Sequence, residues 1–162
     1  MAQPGTATED TAVRDTRALD LAVENKALFR RFVDCWNSGD TEGMMRCWSP
    51  DLVHHGRGGA MDREAVQALM GGFMQAFAGL HFEVEQLVAE EDLVAARMVA
   101  TATHQRDFMG LPATGRRIRV IVMGQVRMRD GRIVEHWNVM DELHFMQQLG
   151  LASAGLLDPV PS

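Results

Sequence analysis

Hydrophobic and polar positions divide the chain into a helical front and a stranded back. Leu21, Leu28, Phe32, Cys35 and Trp36 recur at helical spacings until Asn37-Ser38-Gly39, which predicts an amphipathic helix that stops there. Asp40 can cap a short second helix reaching Trp48, which Ser49-Pro50 ends. LVHHG, residues 52–56, reads as a short strand, and Asp62 caps a third helix with Val66, Leu69, Met70, Phe73 and Phe77 on one face. The period then changes from helical to two. Residues 81–90 alternate and turn at Glu91-Asp92 into 93–105, and residues 118–129 turn at Asp130-Gly131 into 132–141, so two hairpins are expected. A last short helix reaches about Leu149 and stops at Gly150.

Helices first and antiparallel strands afterwards predict an α+β domain: a curved antiparallel sheet forming a cone, covered on one face by the N-terminal helices, with a pocket between them. The domain is expected over residues 16–150. Residues 1–15 are polar, lack periodicity and contain Pro4 and Gly5, so they read as a mobile tail, with 151–162 as a second, C-terminal tail. Apolar residues on both sides of strands 93–104 and 118–128 suggest that both sheet faces are buried, and hence a homodimer.

Composition narrows the chemistry. A formal charge of −6 with dispersed arginines argues against a nucleic-acid partner. No run approaches a bilayer span and the start does not resemble a signal peptide, so no membrane partner and a cytoplasmic location are expected. Cys35 and Cys47 then read as buried thiols rather than a disulfide. The chain has one lysine, Lys26, and no tyrosine, which leaves one candidate for Schiff-base chemistry and none for a phenolic acid. His-x-His, HExxH and CxxC spacings are missing, so no metal is expected, and no cofactor.

FVDCWNSGD (32–40), PDLVHH (50–55), HQRDFMGLPATGRR (104–117) and DGRIVEHWNVMD (130–141) together resemble the SnoaL-like polyketide cyclases of the nuclear-transport-factor-2-like superfamily. The resemblance implies the cone fold and a cyclase that closes a ring by intramolecular aldol condensation without metal or cofactor. An aspartate near the end of the last strand would act as acid/base, at Asp141 by motif position, and a strand histidine would match His104. Gln105-Arg106-Asp107 departs from the smaller, less charged run expected after that histidine. The fold also hosts epoxide-opening enzymes, isomerases and non-catalytic binders, so an epoxide-opening cyclase or isomerase and a small-molecule binding protein are the alternatives.

The residues themselves allow these roles. Asp141 is in register with Ile133, Glu135, Trp137 and Val139; if that face is concave, burial raises its pKa toward that of a useful base. Capping the last helix is the competing use of Asp141. His104 shares a face with Ala100 and Ala102, whose small side chains leave room for a ligand, and it can orient Asp141 or donate to an enolate oxygen. His54 and His55 must point to opposite faces; His54 is chosen as the ligand-facing one. Trp36, Phe108 and Trp137 are the aromatic candidates for walls around a hydrophobic, polycyclic or polyketide-like substrate. Glu135 either faces that substrate as a second acid or pairs with Arg116 or Arg117.

Overall fold

The computed structural model describes residues 6–56 and 58–152. Helix α1 spans Thr6–Ser38. It begins inside the stretch read as a tail, and no glycine or proline between Thr6 and Ser38 interrupts it. Residues 1–5 and 153–162, the rest of the two expected tails, lie outside the described residues. From Leu28 onward α1 buries Leu28, Phe29, Phe32, Val33 and Trp36, which fall on one helical face. Leu21, expected on the same face, is 40% exposed because the sheet beneath α1 does not extend that far.

Asp40 caps α2 (Thr41–Cys47) by accepting from the Gly43 amide at 2.8 Å. Strand β1 (Trp48–Gly56) and the short β2 (Gly59–Met61) follow. Asp62 caps α3 (Arg63–Ala76), accepting from the Ala65 amide at 2.9 Å. The chain passes without a loop into β3 (Phe77–Glu90), then β4 (Leu93–His104), β5 (Arg117–Arg129), β6 (Arg132–Met140) and α4 (Glu142–Leu149). Cys35 and Cys47 are buried and free.

The strands form one curved, open sheet in the order β2-β1-β6-β5-β4-β3, antiparallel throughout except between β1 and β6. Even-numbered residues of β4 and β5, among them Ala96, Met98, Ala100, Ala102, Ile118, Val120, Val122 and Val126, face the helices and form the core with α1 and α3. Two asparagines of α1 tie that helix to the β3–β4 hairpin: Asn25 donates to the Glu91 carbonyl at 3.0 Å. Asn37 both donates to and accepts from the Phe82 backbone, at 3.0 and 2.7 Å. Such pairing satisfies edge-strand groups that would otherwise need water.

One irregularity decides what the sheet presents. The Asp130-Gly131 turn has positive φ at both residues, as a two-residue hairpin requires, and pairs Arg129 with Arg132 and Met128 with Ile133. The next pair, however, is Arg127 with Glu135, so Val134 is an extra residue in β6. A bulge of this kind reverses inside and outside for everything beyond it.

Candidate active site

Without the bulge, Val126 would oppose Glu135 and Val122 would oppose Val139, which is the face reading expected for Asp141. With it, Val126 opposes His136, Gly124 opposes Asn138 and Val122 opposes Met140. Glu135, Trp137 and Val139 therefore lie on the face away from the helices, and Val139 is 71% exposed. Asp141 is exposed as well. It is the N-cap of α4, where its side chain accepts from the His144 amide at 3.0 Å. The expectation of a dry carboxylate in an apolar chamber is corrected: Asp141 is a helix cap at the rim, because the bulge turns β6 before it reaches this residue.

His104 is fully buried on the helix-facing side of β4. Its ring stacks on Phe77 at 4.7 Å, and its Nδ1 lies 3.2 Å from the Thr114 hydroxyl. Its Nε2 is buried with no hydrogen-bond partner among the described residues. An unpaired polar atom inside an apolar shell costs free energy, which is recovered when a ligand oxygen or a water meets it. Asp141 and His104 are not bonded to each other. They stand at the same end of the sheet: α4, which Asp141 starts, carries Phe145 onto Phe77 at 5.7 Å, and Phe77 covers His104.

The two adjacent histidines of β1 separate as strand geometry demands. His54 is buried and meets His136, Nδ1 to Nδ1 at 3.3 Å, with Phe32 edge-on to the His136 ring. Burial lowers the pKa of both rings; the nearby His55 lowers that of His54 further, and His136 falls to about 3. His55 is on the other face, stacked on Trp137 with ring centroids 4.7 Å apart.

On that outer face His55 Nε2 sits 3.4 Å from Glu135, and Arg127 donates to Glu135 and to Asp92, each at 2.8 Å. The Arg127 hydrogen bond holds the Glu135 carboxyl below the usual range. Glu135 is thus paired with Arg127, its cross-strand neighbour, and not with Arg116 or Arg117, which corrects that expectation. Arg116 lies against Gly150 and reaches the Gln148 carbonyl at 3.5 Å.

Among the aromatic candidates, Trp36 is a buried core residue, edge-on to Phe32 and Phe82. Phe108 is half-buried against Phe73 and Phe77 and lines a surface cleft of about 340 Å³ with Leu69, Gly72, Arg106 and Met109. Trp137 is on the outer face. A second cleft, of about 360 Å³, lies between α1 and the β5–β6 turn, at the far end of that hairpin from Asp141. Among the described residues no three His, Cys, Asp or Glu side chains are placed to hold a metal ion, and no helix is long and apolar enough to cross a membrane.

The sequence reading missed two polar residues on the helix-facing side of β6: His136, which is buried, and Asn138, which is exposed at the rim. The one trace of the bulge in the sequence is the apolar doublet Ile133-Val134, both buried, which breaks strict alternation at that point.

The chain is similar to several known proteins. AclR, a proposed hydroxylase of Streptomyces galilaeus, superposes with a TM-score of 0.77 at 39% identity, covering 82% of this chain and 99% of that one. IdmH, a proposed polyketide cyclase of Streptomyces antibioticus, does so with a TM-score of 0.70 at 34% identity, covering 78% and 98%. The aklanonic acid methyl ester cyclase DnrD of Streptomyces peucetius is 28% identical over 131 residues, 76% of this chain and 88% of the relative. The profile of the SnoaL-like polyketide cyclases matches residues 26–149, and the chain belongs to that family.

Proposed function

We propose that this protein closes a ring in a polyketide-type intermediate by acid/base catalysis, in an aldol-type condensation of a planar, ester-bearing substrate. Membership of the cyclase family supports the reaction class, and the name of DnrD supports the substrate class. The observation that carries the site is the buried, unpartnered Nε2 of His104. Thr114 anchors the other ring nitrogen, so the imidazole is held to hydrogen-bond the carbonyl whose oxygen becomes an enolate, a group stabilised best where water is excluded. Asp141 is the candidate base. Its carboxylate is exposed and must exchange the His144 amide for the substrate's acidic C–H as the site fills. We also infer that the protein pairs as a homodimer through the outer sheet face.

The test is turnover of aklanonic acid methyl ester, followed by mass spectrometry and chiral chromatography. Asp141→Asn keeps a helix cap and removes a base, so activity should fall by about 100-fold or more while the melting temperature holds. Unchanged turnover in this variant would leave Asp141 as a cap only. No ring closure by the unmodified protein, with the ester still bound, would make the chain a binding protein. The likeness to AclR favours a second reading, a hydroxylase; oxygen-18 incorporation from dioxygen into the product would select it.

A further inference from the structure

An aldol closure involves two oxygens: the one that becomes enolate and the acceptor carbonyl that becomes an alkoxide and needs a proton. His104 accounts for one. The helix-facing side of β1 and β6 holds a second polar group that the proposed reaction has not used.

His54 and His136 are cross-strand partners whose Nδ1 atoms lie 3.3 Å apart. At that distance both cannot carry a proton, and two bare lone pairs would repel. The contact is satisfied when one ring is the Nδ1–H tautomer and the other accepts at Nδ1 and carries its proton on Nε2. The pair then presents one Nε2 lone pair and one Nε2–H, with no net charge. Phe32 from α1 closes over His136 and Val126 of β5 is its cross-strand partner on the other side, while His54 Nε2 lies beside Gly56. The titratable neighbour acting on His54 is His55, behind the sheet, and the one acting on His136 is His54 itself. One step along the same face of β6, Asn138 stands exposed opposite Gly124, whose missing side chain makes room for the Met98 methyl.

We propose that His54 and His136 act as one proton-sharing unit that binds the acceptor carbonyl of the substrate and protonates its alkoxide, with the Asn138 amide holding the same substrate edge at the rim. The proton reaches the alkoxide from the Nε2–H of one ring. That ring regains a proton at Nδ1 from its neighbour, and the neighbour recovers one at its own Nε2 from water. The proton first taken from carbon by the base leaves to solvent, and the two rings have then exchanged tautomers. Once product leaves, water protonates the donor ring's bare Nε2 while its Nδ1 proton returns to the neighbour and the neighbour's Nε2 proton leaves to water, which restores the starting pair. The inference rests on the cyclase reading for its chemistry, but the shared proton and the binding of an oxygen-rich ring edge stand apart from turnover.

Histidine-labelled protein examined by long-range proton–nitrogen NMR reads the tautomers directly. One Nδ1–H ring and one Nε2–H ring, both neutral from about pH 8 to about pH 5.5, are expected. Two Nε2–H rings, or either ring charging near its ordinary pKa, would overturn the shared proton. Titration with 1,8-dihydroxyanthraquinone should shift both ring signals, and Asn138→Ala should weaken that binding by about 10-fold; no shift removes the binding role. If ring closure is observed, His54→Gln and His136→Gln should each lower kcat by about 100-fold with KM nearly unchanged, and the double variant should be no worse than either. Losses that multiply, or a fall in melting temperature with kcat intact, would show two independent structural histidines. If no ring closure is observed, the cyclase reading fails, while the NMR and binding experiments still decide the pair.

Discussion

At the scale of single residues, His136 has the clearest thermodynamic consequence. Its folded pKa is about 3 because burial disfavours the charged ring, against an ordinary 6.5. Between those values the unfolded chain binds a proton that the folded chain refuses, so stability is fully present above pH 6.5 and is lost as pH falls. At about 1.4 kcal/mol per unit, roughly 2 kcal/mol should be gone at pH 5 relative to pH 8. Urea denaturation at the two pH values checks this, and His136→Phe should flatten most of the difference. A chain equally stable at both would mean that His136 charges freely in the fold. Asp141 makes a different claim: Asp141→Ala should cost about 1 kcal/mol through the lost cap and Asp141→Asn almost nothing, measured by thermal melting. Its capping role was legible in the sequence, because an aspartate before Glu142 and an apolar helical pattern is a start signal. Its orientation was not, because inside and outside were extrapolated across Val134.

At the scale of elements, most of the architecture could be read from local chemistry. Asp40 and Asp62 cap where expected, Asp130-Gly131 makes the tight turn, and Gly150 ends α4 at φ 78°, a left-handed conformation that favours glycine, with the Arg116 guanidinium packed against it. What was not legible depends on partners far away in sequence: the parallel pairing of β1 with β6, the three-residue β2, and the bulge. The docking of α4 is similar. Once the chain leaves β6, Arg119 of β5 keeps β4 on one side but has no strand on the other, and the Gln148 side chain takes that place. Its amide donates to the Arg119 carbonyl at 3.0 Å and accepts from the Arg119 amide at 2.7 Å. A glutamine in α4 thus completes the sheet and fixes Phe145 over Phe77 and the His104 ring. Gln148→Ala should cost about 1–2 kcal/mol and speed hydrogen exchange at Arg119 more than at Val126 in the middle of the strand. Because α4 also carries the rim aspartate, ring-closing activity should drop with it. Exchange at Arg119 as slow as before would show that Gln148 does not hold the helix.

At the scale of the whole molecule, the two sheet faces differ in what covers them. The helix-facing side carries the apolar core and the buried histidines, whereas the outer side leaves Met123 50% and Val139 71% exposed as direct cross-strand neighbours, with Ile121 and Val53 partly exposed on the same face. Burying an aliphatic side chain contributes about 1.5–3 kcal/mol, so four such residues meeting their own copies offer enough to offset the entropy of association. On that face Arg127 joins Asp92 to Glu135 and Arg97 pairs with Glu85, so covering these groups strands none of their charges unpaired. A two-fold interface repeats every residue, which makes it sensitive to a single new charge: Val139→Glu places two carboxylates in one apolar patch. The wild-type chain should therefore run as a dimer at micromolar concentration by size exclusion with light scattering, and Val139→Glu as a folded monomer. With a formal charge of −6 on each chain, the dimer should tighten as salt screens repulsion between copies, unlike an interface built on ion pairs. A monomeric wild type, or a dimer that Val139→Glu leaves intact, would place the subunit contact elsewhere and leave the outer face exposed to water. If instead the monomeric variant keeps full ring-closing activity, each cone holds a complete site, as the position of His104, His54 and His136 on the helix-facing side requires.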